Sequence, residues 1–375
     1  MRALCIYAGP TARQQIAQHG LHPSDICTVP GAAGGPKGLI LGPLDRFIFG
    51  QWLPQSKQPV HLVGASIGAW RMTTACLHDP QAAFERLEHD YIHQHYHPPT
   101  GAKRPSAAQV SELFGQTLQD FYNGRVAEVL QHPRYKLHIV TAHGRRLLQR
   151  EHRWLTPLGF LGAFAANLIQ RQAMGAWLER VVFSSQDGAL PFVSSDYRTQ
   201  QVRLSEANFS ATLQASCSIP FVLQSVADIP GAPVGAYWDG GLTDYHLHLN
   251  YAGAQDAIEL GAACAYPSAS ARPKGLVLYP HFQQTVVPGW LDKSLKWRHQ
   301  FTSFLDNMVL LAPDPDWVKT LPNGKLPDRT DFAHYGQDLA ARVAAWRTAT
   351  AASAQLADEW QAWLQRPDMA QVQRL

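Results

Sequence analysis

His61-Leu62-Val63-Gly64-Ala65-Ser66-Ile67-Gly68-Ala69-Trp70 is an apolar run that reaches G-x-S-x-G and passes directly into a helix-forming stretch. Residues 60–63 read as a buried strand and residues 67–77 as a helix. A serine on a sharp strand-to-helix turn projects its hydroxyl above the sheet, beside the first amides of the helix. Glycines two residues to either side, Gly64 and Gly68, let the two backbones pass where a Cβ would clash. Ser66 is therefore a candidate nucleophile on an α/β fold. The competing reading is an ordinary glycine-lined turn with a solvated serine.

Outward from this turn, short apolar runs alternate with helix-length segments, the pattern of α/β architecture. Strands are predicted at 4–7, 26–29, 137–142, 202–204, 234–238 and 276–279. Helices are predicted at 11–19, 38–50 with a kink at Pro43, 81–95, 106–130 and, rich in alanine, 338–364. No internal repeat, low-complexity tract or linker divides the chain. One domain over 1–375 is expected, with the motifs in 1–250 and a helical C-terminal part, 251–375, to which no function is assigned.

Composition narrows the classes. The 375 residues carry 32 Lys+Arg against 29 Asp+Glu, a net +3 that is too even for nucleic acid as the main partner. With 46% hydrophobic and 16% charged residues, the chain is globular rather than disordered, collagen-like, coiled-coil or polytopic in a membrane. Cys5, Cys27, Cys76, Cys217 and Cys264 are odd in number and lack C-x-x-C spacing, which points to buried free thiols in a reducing compartment. The opening residues meet Gly9-Pro10 too soon for a signal peptide. Residues 154–170 and 208–227 are too interrupted for membrane spans. A cytoplasmic protein is expected, with peripheral contact at a membrane.

Gly31-Ala32-Ala33-Gly34-Gly35-Pro36-Lys37-Gly38 follows the second strand and opens a helix. Such a loop aims successive N–H groups into one hollow that suits an anion. A phosphate-binding P-loop would need Lys after the last glycine and then Ser or Thr, whereas Lys37 precedes Gly38 and Leu39 follows it. The oxyanion of a tetrahedral intermediate fits the hollow better. For a base, a Ser-His-Asp order is uninformative among 17 histidines. Tyr237-Trp238-Asp239-Gly240-Gly241 presents a carboxylate at a strand end, and Asp187-Gly188 after the apolar 181–183 competes with it. Upstream of Asp239 lies Ala215-Ser216-Cys217-Ser218-Ile219-Pro220.

Four pieces in this order resemble the patatin-like phospholipase family: G-G-x-K-G at 34–38, G-x-S-x-G at 64–68, A-S-x-S-x-P at 215–220 and D-G-G at 239–241. The resemblance covers roughly residues 1–250. It implies a three-layer α/β/α fold with a central, mostly parallel sheet, and hydrolysis of acyl esters of lipids by a Ser–Asp dyad without metal or cofactor. On these motifs Ser66 is the nucleophile and Asp239 the base. Gly34 and Gly35 are the oxyanion donors, with Gly38 closing that loop. Asp239 is preferred to Asp187 because it follows the A-S-x-S-x-P run closely. The chain departs from the family at Ala33, where glycine is frequent, and Pro36 brings no N–H. Phospholipid or lysophospholipid esters are the implied substrates. Other hydrophobic esters, a non-catalytic binding module, or a triad enzyme using His246 or His248 stand as alternatives.

Arg145, Arg146, Arg150, Arg153 and Arg171 flank the uncharged stretch 154–170, as in an interfacial segment that docks on anionic lipid. The other reading buries the stretch and leaves the arginines as a solvated rim. Residues 290–298 offer a second basic-aromatic candidate. His89 and His93, at i and i+4 in a cluster with His95 and His97, read as ordinary histidines rather than a metal site. Trp346, Leu356, Trp360 and Trp363 read as a core-facing stripe.

Overall fold

The computed structural model describes residues 1–96, 105–254 and 275–375; Cys264, His97 and most of the segment joining the motif region to the C-terminal part lie outside them. The chain is a mixed α/β protein on one central, mostly parallel sheet. Its strands are β1 (Leu4–Ala8), β2 (Ile26–Gly31), β3 (Val60–Ala65), β4 (Tyr135–Gly144), β5 (Leu178–Ser184), β6 (Thr199–Arg203), β7 (Val226–Ala227), β8 (Ala236–Asp239), β9 (Leu276–Pro280), β10 (Met308–Pro313) and β11 (Val372–Arg374). The order runs β11-β1-β10-β9-β2-β3-β4-β5-β6, with β8 against β4 and β7 against β8. Strands β9, β2, β3 and β4 are parallel neighbours. They are rich in Val, Leu and Ile and buried almost throughout, as strands covered on both faces must be.

The helices are α1 (Pro10–His19), α2 (Gly42–Phe47), α3 (Ile67–Thr74), α4 (Pro80–His93), α5 (Ala107–Tyr122), α6 (Val126–Leu130), α7 (Leu155–Ile169), α8 (Phe209–Ser216) and α9 (Gly241–Asp244), followed by shorter turns and two C-terminal helices. Several predicted helices are broken for local reasons. Residues 38–50 form a 3-10 helix, Gly35–Leu41, then α2, then a π turn, Ile48–Trp52. Pro43 sits in the first turn of α2, where its missing N–H costs nothing. Residues 106–130 divide at Asn123-Gly124, where Gly124 takes φ +70°. Residues 338–364 divide into Leu339–Ala352 and Ala354–Gln365 at Ser353, whose hydroxyl donates back to the Thr350 carbonyl at 2.7 Å. Trp346, Leu356, Trp360 and Trp363 are buried, as their spacing predicts.

The C-terminal part, expected to be helical apart from the strand at 276–279, is more strand-rich than that. It supplies β9 and β10, which stand between β1 and β2, and β11, which pairs with β1 at the edge. Both ends of the chain therefore share one sheet and one main core.

One feature of the sheet positions Ser66 and Asp239. Strand β4 is ten residues long and pairs with β5 along one edge, from His138↔Ser184 to Gly144↔Leu178. Its other edge is shared. It pairs with β3 up to Ala65↔Val140, and from the next residue it pairs antiparallel with β8, starting at Thr141↔Asp239. The ends of β3 and β8 thus meet head to head on a single template strand.

Candidate active site

Ser66 follows the last residue of β3 and Asp239 is the last residue of β8, so the shared edge of β4 brings them together. Ser66 Oγ donates to Asp239 Oδ2 at 2.7 Å, across 173 residues of sequence. Ser66 has φ 57° and ψ −130°, a strained backbone for a side chain with a Cβ. Its close surroundings enforce that turn: a Cβ on Gly68 would lie 1.8 Å from the Gly31 carbonyl oxygen, so only glycine allows α3 to cross β2 there.

The Ala215–Pro220 run holds the turn in place. Ser216 Oγ accepts the Ser66 N–H at 3.0 Å and donates to the Val140 carbonyl at 2.7 Å. The Ser216 carbonyl accepts from Gly240 N–H at 3.2 Å, and the Ser218 carbonyl from Asp239 N–H at 2.9 Å. Ser66 and Asp239 are thereby hung from one short segment. The sequence marks these serines, but their role as a clamp depends on contacts between distant strands.

Asp239 is 6% exposed and Ser66 5%. Besides Ser66, the carboxylate accepts the Gly241 N–H on Oδ1 at 2.7 Å. Burial pushes Asp239 up to about 6; the bonds from Ser66 and Gly241 and the charges of Arg329 and Lys293 pull the other way without cancelling it. The group is ionised at neutral pH, yet a far better proton acceptor than an ordinary carboxylate near pH 4.

Gly34 and Gly35 line the same pocket as Ser66 and Asp239, together with Ala33 and Tyr245. The Ala33 N–H is engaged by the Tyr245 carbonyl at 2.9 Å, whereas those of Gly34 and Gly35 have no such partner among the described residues. Gly35 takes φ +57° as it enters the 3-10 helix, a conformation that favours glycine. Gly38 is a correction. It lies inside that 3-10 helix, packed on the Ile67 and Arg71 side chains, and does not line the pocket. Its part is packing of the loop on α3. Arg71 in turn makes a two-pronged bond to Asp45 of α2, at 2.7 and 2.8 Å, which ties α3 to the helix that follows the glycine loop.

The competing residues lie elsewhere. Asp187 is exposed and paired with Arg203 at 3.0 Å. His246 is buried against His281 and Phe282 and accepts the Val287 N–H, and His248 bonds Thr302 Oγ1 at 3.1 Å. Among the described residues, no histidine hydrogen-bonds Ser66 or Asp239. His89 and His93 stack at 4.2 Å on the surface of α4. No group of three metal-ligating side chains occurs among the described residues.

A second cavity opens beside Ser66 and shares Gly35, Ile219 and Arg329 with the first. Its cavity volume is about 100 Å³, walled chiefly by Trp70, Val110, Phe114, Leu223 and Phe332. Ser66 therefore faces an apolar, aromatic-walled slot on one side and a glycine-lined hollow on the other.

The 154–170 stretch is largely α7, and its two faces differ. Phe160 is buried against Trp238, while Trp154, Leu155, Leu158, Leu161, Leu168 and Ile169 are exposed. Phe160 also meets the exposed Phe221, whose neighbours Pro220 and Val222 line the two cavities. The flanking cations are mostly engaged: Arg145 with Glu179, Arg150 with Asp228, Arg171 with Asp244 and Asp292. Among the described residues no helix is long and apolar enough to cross a membrane. Compared with known proteins, the chain matches no family model and no curated sequence.

Proposed function

We propose that the protein is a serine acyl-ester hydrolase of patatin-like type, acting on lipid esters through Ser66 and Asp239. The observation that carries this reading is the 2.7 Å bond from the strained Ser66 to a buried carboxylate with a raised proton affinity. The central sheet, buried on both faces, accords with the three-layer α/β/α architecture of that family. In the proposed cycle Ser66 Oγ attacks the ester carbonyl carbon as its proton passes to Asp239 Oδ2. The carbonyl oxygen gains the negative charge against the free N–H groups of Gly34 and Gly35. Collapse breaks the C–O bond to the alcohol, which leaves with the proton from Asp239. Water then attacks the acyl-enzyme, giving one proton to Asp239, and the acid departs as that proton returns to Ser66 Oγ. The net change is ester plus water to acid plus alcohol.

A non-catalytic binding module has no use for a strained serine on a carboxylate of raised pKa beside two unpaired amides. The apolar slot suits the acyl chain. The outer face of α7 with Phe221 and Val222 suits a lipid surface, because it is continuous with the mouths of both cavities. Acid release from mixed-lipid vesicles and from soluble short-chain esters tests the reading. Both are expected, with Ser66→Ala silent; no release from either substrate overturns it. Leu161→Asp is expected to reduce vesicle flotation and vesicle hydrolysis while short-chain hydrolysis persists. Phe160 is unsuited to that test, being part of the core.

A further inference from the structure

One cation, Arg329, stands at the mouth above Ser66, and two more, Lys293 and Lys37, lie on aromatic rings around it. Arg329 lines both the glycine hollow and the apolar slot, and its Cγ is 3.6 Å from where a Cβ on Gly35 would sit. Lys293 Nζ lies 3.9 Å over the ring of Tyr245 and 5.6 Å from that of Trp290, two walls of the hollow. Lys37 Nζ is 5.4 Å from the ring of Phe282, which closes on Gly34. Two of the three come from residues 275–375, the part that the motifs leave without a role.

Among the described residues they stand without carboxylate partners, unlike the buried and half-buried arginines of the core. Arg71, Arg171, Arg180 and Arg298 each reach a carboxylate at 3.3 Å or less. No carboxylate oxygen among the described residues lies within 4 Å of Lys37, Lys293 or Arg329. The carboxylates whose fields reach them are already committed. Asp239 is held by Ser66 and Gly241, and Asp328 by Lys325 at 2.7 Å. The cations feel each other: burial first, then Arg329 and Lys37, bring Lys293 down to about 8. Like charges crowded at the edge of a low-dielectric pocket raise the free energy until an anion joins them. An arginine fork with two ammonium groups matches a tetrahedral oxyanion.

Resting on the acyl-hydrolase reading, we infer that Lys37, Lys293 and Arg329 bind an oxyanion on the alcohol side of the ester, so that the enzyme selects acyl esters of net negative charge over neutral and zwitterionic ones. The acyl chain fills the apolar slot, which leaves the alcohol side facing this rim. A zwitterionic head group would bring a cation into a rim that offers no free carboxylate to receive it.

The test is a binding measurement on the full chain carrying Ser66→Ala. Octyl phosphate, octyl phosphocholine and inorganic phosphate are titrated by calorimetry, below the micellar range of the amphiphiles. Octyl phosphate is expected to bind at least about tenfold more tightly than octyl phosphocholine, and inorganic phosphate more weakly than octyl phosphate. Arg329→Gln and Lys293→Gln, both at the rim, are each expected to weaken octyl phosphate by about tenfold, the scale of one charge-assisted bond. Arg329→Glu should weaken it further. Equal affinity for the two octyl compounds, or no loss in the glutamine variants with folding verified by circular dichroism, overturns the inference. Inorganic phosphate binding as tightly as octyl phosphate overturns the assignment to an ester's head group and marks a free-anion site. Because Ser66→Ala needs no turnover, these results stand apart from hydrolysis. Loss of the hydrolase reading would instead appear as no acid release from any ester by the unmodified protein.

Discussion

Asp239 and Asp244 lie at opposite ends of the same short turn, both carboxylates buried, and they have been given opposite surroundings. Asp244 receives Arg180 on both oxygens, at 2.6 and 2.7 Å, and Arg171 at 3.2 Å. Burial pushes its pKa up, but the two guanidinium groups outweigh that and hold it below the usual carboxylate range. Asp239 receives a hydroxyl and one amide, with cations only at a distance, and burial wins. A buried charge matched by rigid partners fixes structure and gives up its chemistry. A buried charge left undermatched is held at a cost in stability and keeps its appetite for a proton.

Substituting each carboxylate by its amide gives the sharpest break between them. Asp239→Asn is expected to lower kcat by about 10²–10⁴-fold, the usual contribution of a positioned base, while thermal melting stays level or rises. Asp244→Asn is expected to do the reverse. It strands Arg180 in the interior and costs about 3–5 kcal/mol in denaturant unfolding. A stability loss in the first variant, or a well-folded but inactive second one, would collapse the distinction.

The clamp comes next in size. Ser216→Ala removes the acceptor of the Ser66 N–H and the donor to Val140, leaving buried polar groups unpaired at about 1–3 kcal/mol each at most. Chemical denaturation should register the loss, and kcat should fall by about tenfold or more as the turn relaxes.

The pH dependence sharpens the comparison through its sign. Asp239 must be ionised to accept a proton, so kcat/KM should rise through about pH 6 and level off above it. Stability should move oppositely. A carboxyl whose folded pKa lies above its unfolded value contributes stability that is whole below the unfolded pKa and is lost as pH rises through about 6. That slope should vanish in Asp239→Asn. Asp244, with its lowered pKa, contributes stability present above the unfolded pKa and lost only in more acidic solution. Smallest of all, His248→Ala should leave kcat within about threefold, since an imidazole outside the dyad carries no proton in the cycle; a loss of several orders of magnitude would call for a triad.

The site was more legible than the fold around it, for a physical reason. Ser66, Gly34, Gly35 and Asp239 sit where backbone geometry restricts residue choice, so their neighbours in sequence mark them. Strand β10 is a bare apolar run, Met308–Pro313, which periodicity does not separate from a buried helical segment. Strand β11 spans three residues and exists through pairing with β1. The helix breaks at Gly124 and Ser353 turn on single residues that helices elsewhere tolerate. Gly38 shares the loop's sequence pattern with its neighbours, although it packs inward on Ile67. Ion pairs were illegible: the arginines beside α7 look like a lipid-facing belt in sequence, and most are held by Glu179, Asp228, Asp244 and Asp292.

The most direct test of the dyad is the rate at which a fluorophosphonate labels the purified protein between pH 4 and 8, followed by intact mass and peptide mapping. The account predicts one adduct, on Ser66, with a rate that climbs through about pH 6 and then levels, and little or no adduct in Asp239→Asn of unchanged melting behaviour. An adduct elsewhere, or undiminished labelling of Ser66 in Asp239→Asn, would contradict it.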